Sequence, residues 1–164
     1  MTPGVVVSLG SNLGDRLAHL AAGLSILDAI AGVAAVSGVY ETDPVGGVRQ
    51  PPYLNLVAVL RTGDPELALL AAHAAEDARG RLRSVRWGPR TLDVDVIACG
   101  ACRVDDPWLT VPHPRASERA FVLRPWLDVD PAAWLPGSGP VAPLARELGD
   151  AGVRRVGPAP GWWR

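Results

Sequence analysis

Tyr53-Leu54-Asn55-Leu56-Val57-Ala58-Val59-Leu60-Arg61-Thr62-Gly63-Asp64-Pro65-Glu66 carries a strand-to-helix transition. Apart from Asn55 and the terminal Arg61, residues 53–61 are apolar on both alternating faces, the pattern of an interior strand covered on each side. Thr62-Gly63 interrupts that run. Asp64 is suited to cap a helix, and Pro65 takes the first helical position, where its missing N–H is not needed. Glu66 then meets the positive end of the helix dipole. Leu67, Leu70, Ala71, Ala74 and Ala78 recur at helical spacing as the expected buried stripe, and Gly80 ends the helix.

The same logic extends upstream. Residues 5–9 are a short apolar run that stops at Gly10-Ser11-Asn12, a strand followed by a turn. Asp15 is placed to cap a helix whose apolar side is Leu17, Leu20, Leu24 and Leu27, closed by Gly32. Residues 33–40 read as a strand, and residues 42–52 as a Pro/Gly-rich loop. Downstream, 81–90 is a basic loop and 91–99 a further strand with Leu92, Val94 and Val96 facing the core. From residue 105 the chain is Pro-rich and expected to be irregular, with short helices near 118–123 and 143–148. The order strand, helix, strand, strand, helix, strand predicts an α+β fold with a ferredoxin-like βαββαβ core. Its antiparallel sheet carries both helices on one face and leaves the other free. With no repeat or linker in view, residues 1–164 read as a single domain.

The chain has 164 residues and no lysine, so all 16 of its basic residues are arginine, set against 17 acidic residues for a net charge of -1. Lysine Schiff-base chemistry and a Walker-type phosphate loop are therefore excluded. A pI near 6.3 argues against bulk electrostatic binding of nucleic acid. The first residues lack the charged and apolar parts of a signal peptide, and no apolar run reaches membrane-spanning length. Cys99 and Cys102 form a C-x-x-C spacing without a second pair, which leaves a tetrahedral zinc site short of ligands. The segment Gly100-Ala101 reads as a turn ending a strand rather than a redox motif opening a helix. These features predict a cytoplasmic protein that engages neither nucleic acid nor membrane.

The chemistry concentrates around Asp93 and Asp95. On a strand these alternate residues share a face, about 6.6 Å apart. Paired carboxylates with no His or Cys beside them suit Mg²⁺ rather than zinc, and two ions about 3.5–4 Å apart suit a polyphosphate. A solvated surface strand is the simple alternative for a lone D-x-D. Arg81, Arg83, Arg86 and Arg90 just upstream strengthen the phosphate reading, because guanidiniums take up charge on transferring groups. A basic loop bounded by glycines is also suited to close over a nucleotide. Tyr53 and Asn55 share a face: a ring to stack on a flat heterocycle and an amide to read its edge, or else a core aromatic and a tolerated polar residue. Phe121, the only phenylalanine, is available as the second slice of a sandwich. His113, held between Pro112 and Pro114, and Arg119 are candidate phosphate contacts.

Taken together, these stretches resemble the 6-hydroxymethyl-7,8-dihydropterin pyrophosphokinase family. The similarity rests on S-L-G-S-N-L-G-D at 8–15, Y-E-T-D-P-V-G at 40–46, Y-L-N at 53–55, R-W-G-P-R-T-L-D-V-D at 86–95, L-T-V-P-H-P at 109–114 and E-R-A-F-V-L at 118–123. The resemblance implies an enzyme that transfers pyrophosphate from ATP to 6-hydroxymethyl-7,8-dihydropterin in folate biosynthesis. It implies Asp93 and Asp95 as ligands of two Mg²⁺ ions, with Arg81, Arg90, Asp93 and Asp95 catalytic. ATP would be contacted by Glu76, Arg83, Trp87, Arg90, Val96, Thr110, His113 and Arg119. The pterin would be contacted by Thr42, Pro44, Val45, Tyr53, Asn55, Trp87, Asp93 and Phe121. It further implies a monomer whose partners are these two small molecules. The chain departs from some members at the short Ser84-Val85 segment and at His73, Trp108 and Pro114. A nucleotidyltransferase, which moves AMP instead of releasing it, and a non-enzymatic ferredoxin-like RNA-binding module are the rival readings.

Overall fold

The structure is a computed structural model and describes residues 3–44, 49–80, 91–150 and 152–160. In chain order the elements are β1 (Val6–Ser11), α1 (Arg16–Ala31), β2 (Val33–Val36), β3 (Val39–Thr42), β4 (Tyr53–Leu60), α2 (Pro65–Ala78) and β5 (Asp93–Ala98). They continue with β6 (Val104–Asp106), β7 (Leu109–Val111), a 3-10 turn at Ala116–Glu118, α3 (Ala120–Val129), β8 (Trp134–Leu135), β9 (Gly139–Pro140), α4 (Val141–Leu148) and β10 (Val153–Gly157). Both expected helix starts are present. The Asp15 side chain accepts from Ala18 N–H and that of Asp64 accepts from Glu66 N–H, with Pro65 in the first turn. Gly32 ends α1 at φ 72, and a Cβ there would stand 3.0 Å from Arg61 Cδ.

The main sheet is antiparallel and six-stranded, in the order β10-β3-β4-β1-β5, with β2 also paired to β4. Strand β4 is therefore interior, as its two apolar faces require. Val5, Val7, Leu9, Leu56, Leu60 and Val94 join Leu20, Leu24, Leu27 and the alanines of α2 in one core. Each fully buried leucine there contributes roughly 1.5–3 kcal/mol. On the opposite face Val6, Val57 and Ile97 pack with Val122, Leu123 and Trp126 of α3 and Val141 and Ala145 of α4. The face expected to be free is thus covered along one end. Among the described residues, the end bearing Ser8, Gly10, Tyr53, Asn55, Asp93 and Asp95 lines a cleft.

Several expectations are corrected by the structure. The strand expected over 33–40 is two strands, because buried Ser37 interrupts the ladder. Its hydroxyl accepts from Val57 N–H at 2.9 Å and donates to Gly38 O at 2.8 Å. The buried side of α2 is Pro65, Ala68, Ala71, Ala72, Ala75 and Glu76, whereas Leu70 is 66% exposed and Ala78 is exposed. Small side chains let α2 approach α1 and the sheet closely, so volume rather than hydrophobicity chose the face. Leu17 of α1, expected on the apolar side of the helix, is 40% exposed. The C-terminal part is more regular than its prolines suggest. It forms α3, with Pro125 inside it, α4 and the edge strand β10.

Cys99 is buried and Cys102 partly so; both are free thiols. Cys102 N–H donates to Cys99 O at 2.9 Å, the turn expected after the strand. Burial pushes the Cys99 thiol above its ordinary pKa, which removes thiolate character rather than activating it.

Candidate active site

The open end of the sheet forms the floor of a cleft of about 500 Å³. Register explains the grouping. Gly10 of β1 lies opposite Asn55 of β4 on one side and Asp93 of β5 on the other, while Ser8 lies opposite Asp95. Thr42 of β3 lies opposite Tyr53. Strand alternation then points these side chains to one face. Small residues on β1 keep the centre of the floor low. A Cβ on Gly10 would stand 2.6 Å from Asn55 Oδ1 and 3.4 Å from Tyr53 Cδ1.

Asn55 is buried, and its Nδ2 donates to Thr42 Oγ1 at 2.6 Å. That bond orients the amide, so one buried polar pair presents a fixed donor and acceptor pattern to the cleft. Phe121, in the first turn of α3, lines the same cleft as Tyr53. The Arg119 guanidinium carbon lies 5.5 Å from the Phe121 ring centroid, and Arg119 Nη1 is 3.5 Å from Asp95 Oδ2. Arg119 therefore bridges the aromatic part of the cleft and the carboxylate part.

Strand β5 is a sheet edge, and the cleft wraps over it toward α2 and the β6–β7 hairpin. Glu76 of α2 is 2% exposed, and its Oε2 accepts from Val94 N–H at 3.0 Å, satisfying a backbone donor on the edge. Val96, Thr110, Leu69, His73 and Trp108 border this part of the cleft. His113 N–H donates to Ile97 O at 2.8 Å, which ties its loop to β5. Its Nδ1 accepts from Arg115 N–H at 3.1 Å, which leaves Nε2 to carry the imidazole hydrogen. Burial, reinforced by Arg119 and Arg115 and opposed by Asp93, lowers the His113 pKa to about 4. At neutral pH this is an uncharged hydrogen-bond donor.

Of the residues singled out in the sequence, Thr42, Tyr53, Asn55, Glu76, Asp93, Asp95, Val96, Thr110, His113, Arg119 and Phe121 meet in this one cleft. Pro44 lines an adjoining cavity of about 520 Å³ that shares Thr42, Asp43, Arg119 and Phe121 with it. Val45, Arg81, Arg83, Arg86, Trp87 and Arg90 lie outside the described residues. Ser8, Gly10, Asp43 and Gln50 also line the cleft and were not singled out as site residues. Ser8, Gly10 and Asp43 fall within the stretches 8–15 and 40–46 that carry the family resemblance, and the alternation of Ser8 and Gly10 becomes meaningful once β1 is known to lie between β4 and β5.

Among the described residues no group of three or more His, Cys, Asp or Glu side chains gathers as a metal cage. Two adjacent carboxylates that leave most coordination positions to water and phosphate oxygens fit a hard divalent cation of the Mg²⁺ type. An antiparallel sheet holding paired carboxylates next to an aromatic slot with a fixed amide has the chemistry to take a cation-bound phosphate beside a flat ring, which suits the class of phosphate-transferring enzymes.

The comparisons narrow that class. The family model described as 7,8-dihydro-6-hydroxymethylpterin-pyrophosphokinase (HPPK) matches residues 6–131. The 2-amino-4-hydroxy-6-hydroxymethyldihydropteridine pyrophosphokinase of Mycobacterium tuberculosis is 45% identical over 158 residues, covering 89% of this chain and 82% of that protein. The protein of the same name from Pseudomonas aeruginosa is 39% identical over 155 residues, covering 93% and 96%. A solved structure of a Plasmodium falciparum HPPK-DHPS triple mutant with pteroate superposes with a TM-score of 0.70 at 14% identity. It covers 94% of this chain and 47% of that longer one, so this chain spans about half of it. The chain belongs to the HPPK family of pyrophosphokinases.

Proposed function

We propose that the protein transfers the pyrophosphoryl group of ATP to 6-hydroxymethyl-7,8-dihydropterin, giving AMP and the pterin pyrophosphate, as a step of folate biosynthesis. Family membership carries this reading. The supporting observation is that a carboxylate pair and the set Thr42, Tyr53, Asn55 and Phe121 line one cleft, so that an anion site and a flat-heterocycle site share a floor.

In this reading Tyr53 and Phe121 stack on the pterin, Asn55 and Thr42 read its amide-like edge, and Pro44 and Val45 border it. Asp93 and Asp95 would hold two Mg²⁺ ions. Bound Mg²⁺ would supply charge neutralisation for the triphosphate. Glu76, Val96, Thr110, His113 and Arg119 contact ATP, with His113 donating from Nε2. Arg81 and Arg90 take up charge on the transferred group, and Arg83 and Trp87 close over both substrates. The pterin hydroxyl oxygen attacks the β-phosphorus of ATP in line. The bond from β-phosphorus to the α–β bridging oxygen breaks, AMP leaves with that oxygen, and the hydroxyl proton passes to solvent. Holding the two reactants in this geometry is the main contribution of the cleft. We read the core as ferredoxin-like and the chain as one domain acting as a cytoplasmic monomer.

The deciding experiment is incubation with ATP, Mg²⁺ and the pterin, with nucleotides resolved by chromatography. AMP formed only when the pterin is present is the expected result, and ADP or pterin-independent turnover rejects the reading. Asp93→Ala and Asp95→Ala should each lower kcat by at least about a hundredfold, the scale of losing one group that stabilises transition-state charge. Near-normal turnover in either variant would remove that carboxylate from the mechanism.

A further inference from the structure

The residues C-terminal to the family match at 6–131 build a structure against the cleft. Strand β10 adds to β3 with Val153 opposite Thr42 and Arg154 opposite Glu41. Thr42 is the cleft residue that orients Asn55, and Glu41 points to the other face of the same strand. There Glu41 is held between two guanidiniums, Arg154 of β10 and Arg16 of α1, the latter at 3.1 Å. Arg154, then burial against it, then Arg16 set the balance that keeps the Glu41 carboxyl below its ordinary pKa. Arg16 Nη1 also donates to Pro52 O at 3.0 Å, immediately before Tyr53. Arg16 thus joins the first strand flanking the 43–52 loop to the second. On the β10 side Asp43 N–H donates to Gly152 O at 2.9 Å, and Arg154 Nη1 is 3.9 Å from Asp43 Oδ1.

We propose that Arg154, Glu41 and Arg16 form a clasp at the base of the 43–52 loop that positions the pterin half of the cleft, so that the C-terminal strand tunes acceptor binding. The inference rests on the pyrophosphokinase reading of that half-site. Its physical basis is that Thr42 and Tyr53 bracket the loop, and both are one residue from an atom the clasp holds: Glu41 on one side, Pro52 O on the other. Among the described residues, none of these three itself lines the cleft, so they act on it through Thr42 and Tyr53. A second ion pair from β10, Arg155 Nε to Asp128 Oδ2 at 3.7 Å, lies away from the loop and ties β10 to α3. It provides the control.

The test is steady-state kinetics of the full chain with ATP, Mg²⁺ and the hydroxymethyl dihydropterin, on wild type, Arg154→Ala, Arg154→Lys and Arg155→Ala, with thermal melts of each. Arg154→Ala should raise the pterin KM about two- to fivefold, the affinity equivalent of a partly exposed ion pair, while kcat and the ATP dissociation constant stay unchanged. Arg154→Lys should restore most of the pterin KM. Arg155→Ala should lower the melting temperature without moving it. The pterin is uncharged, so at saturating ATP the gap between wild type and Arg154→Ala should also narrow in high salt, which screens the clasp. An unchanged pterin KM in Arg154→Ala overturns the proposal. So does a shift shared equally by ATP, or one reproduced by Arg155→Ala, since either marks β10 as merely structural. Absence of pterin-dependent AMP in the wild type instead defeats the underlying functional reading.

Discussion

Gly10 shows how a single hydrogen in place of a side chain shapes the site. Its Cα underlies Asn55 Oδ1 and the Tyr53 ring edge, so Gly10→Ala forces the slot to open or the amide to turn. The expected result is a pterin KM raised at least about tenfold and a stability loss of about 1–3 kcal/mol, the usual scale of overpacking, checked by kinetics and denaturant unfolding. His113 makes a separate prediction. Its folded pKa of about 4 lies below the ordinary 6.5, so the folded protein binds that proton less readily than the unfolded chain does. The stability it supports is whole above pH 6.5 and is lost as pH falls from there toward 4. An NMR titration of the imidazole should find a midpoint well below 5.5, and His113→Gln should soften the fall in stability between pH 7 and 4.5. A midpoint near 6.5 would contradict the neutral, Nε2-protonated donor assigned to it.

At the scale of elements, the contact between α2 and the edge of β5 rests on a buried carboxylate. The Glu76 carboxylate is buried and accepts the Val94 N–H, so Glu76→Ala leaves an edge donor without its partner. That change should cost about 1–3 kcal/mol by urea unfolding, with a smaller loss for Glu76→Gln, which keeps an acceptor. Much of α2 was legible beforehand: its cap, its first-turn proline and its end follow from residues adjacent in sequence. Its buried face was legible only in part: Ala71 is buried and Leu67 packs against the core as expected, whereas Leu70 and Ala78 are exposed. Ala68, Ala71, Ala72 and Ala75 face the core, with Leu67 and Leu69 packed at its margin. Likewise the break between β2 and β3 came from Ser37 replacing a ladder acceptor, an exchange between residues 37 and 57 that no local pattern records.

Over the whole molecule the sheet divides its second face between packing and chemistry. The end near Val6, Val57 and Ile97 is closed by α3 and α4, and the end near Asp93 and Asn55 stays open. A ligand bound there should stabilise the entire fold through mass action. A non-hydrolysable ATP analogue with Mg²⁺ at about 100 times its dissociation constant should add about 2.7 kcal/mol, a rise of roughly 5–10 °C in melting temperature. The rise should be lost in Asp95→Ala, and an equal rise in that variant would show binding that does not use the carboxylate pair. No helix among the described residues is long and apolar enough to cross a membrane.

By itself the sequence determined the alternation of strands and helices as far as β5, apart from the break at Ser37, together with the interior character of β4, the shared face of Asp93 and Asp95, and the motif series that marks the family. These depend on periodicity and capping, which act over a few neighbouring residues. Tertiary structure alone decided that Gly10 lies between Asn55 and Asp93, that Arg119 of the α3 cap reaches Asp95, and that β10 closes on β3 through Arg154. Those pairings join residues tens of positions apart. Their partners are selected by register and by which sheet edge remains unpaired, and neither quantity is carried by any single stretch of chain.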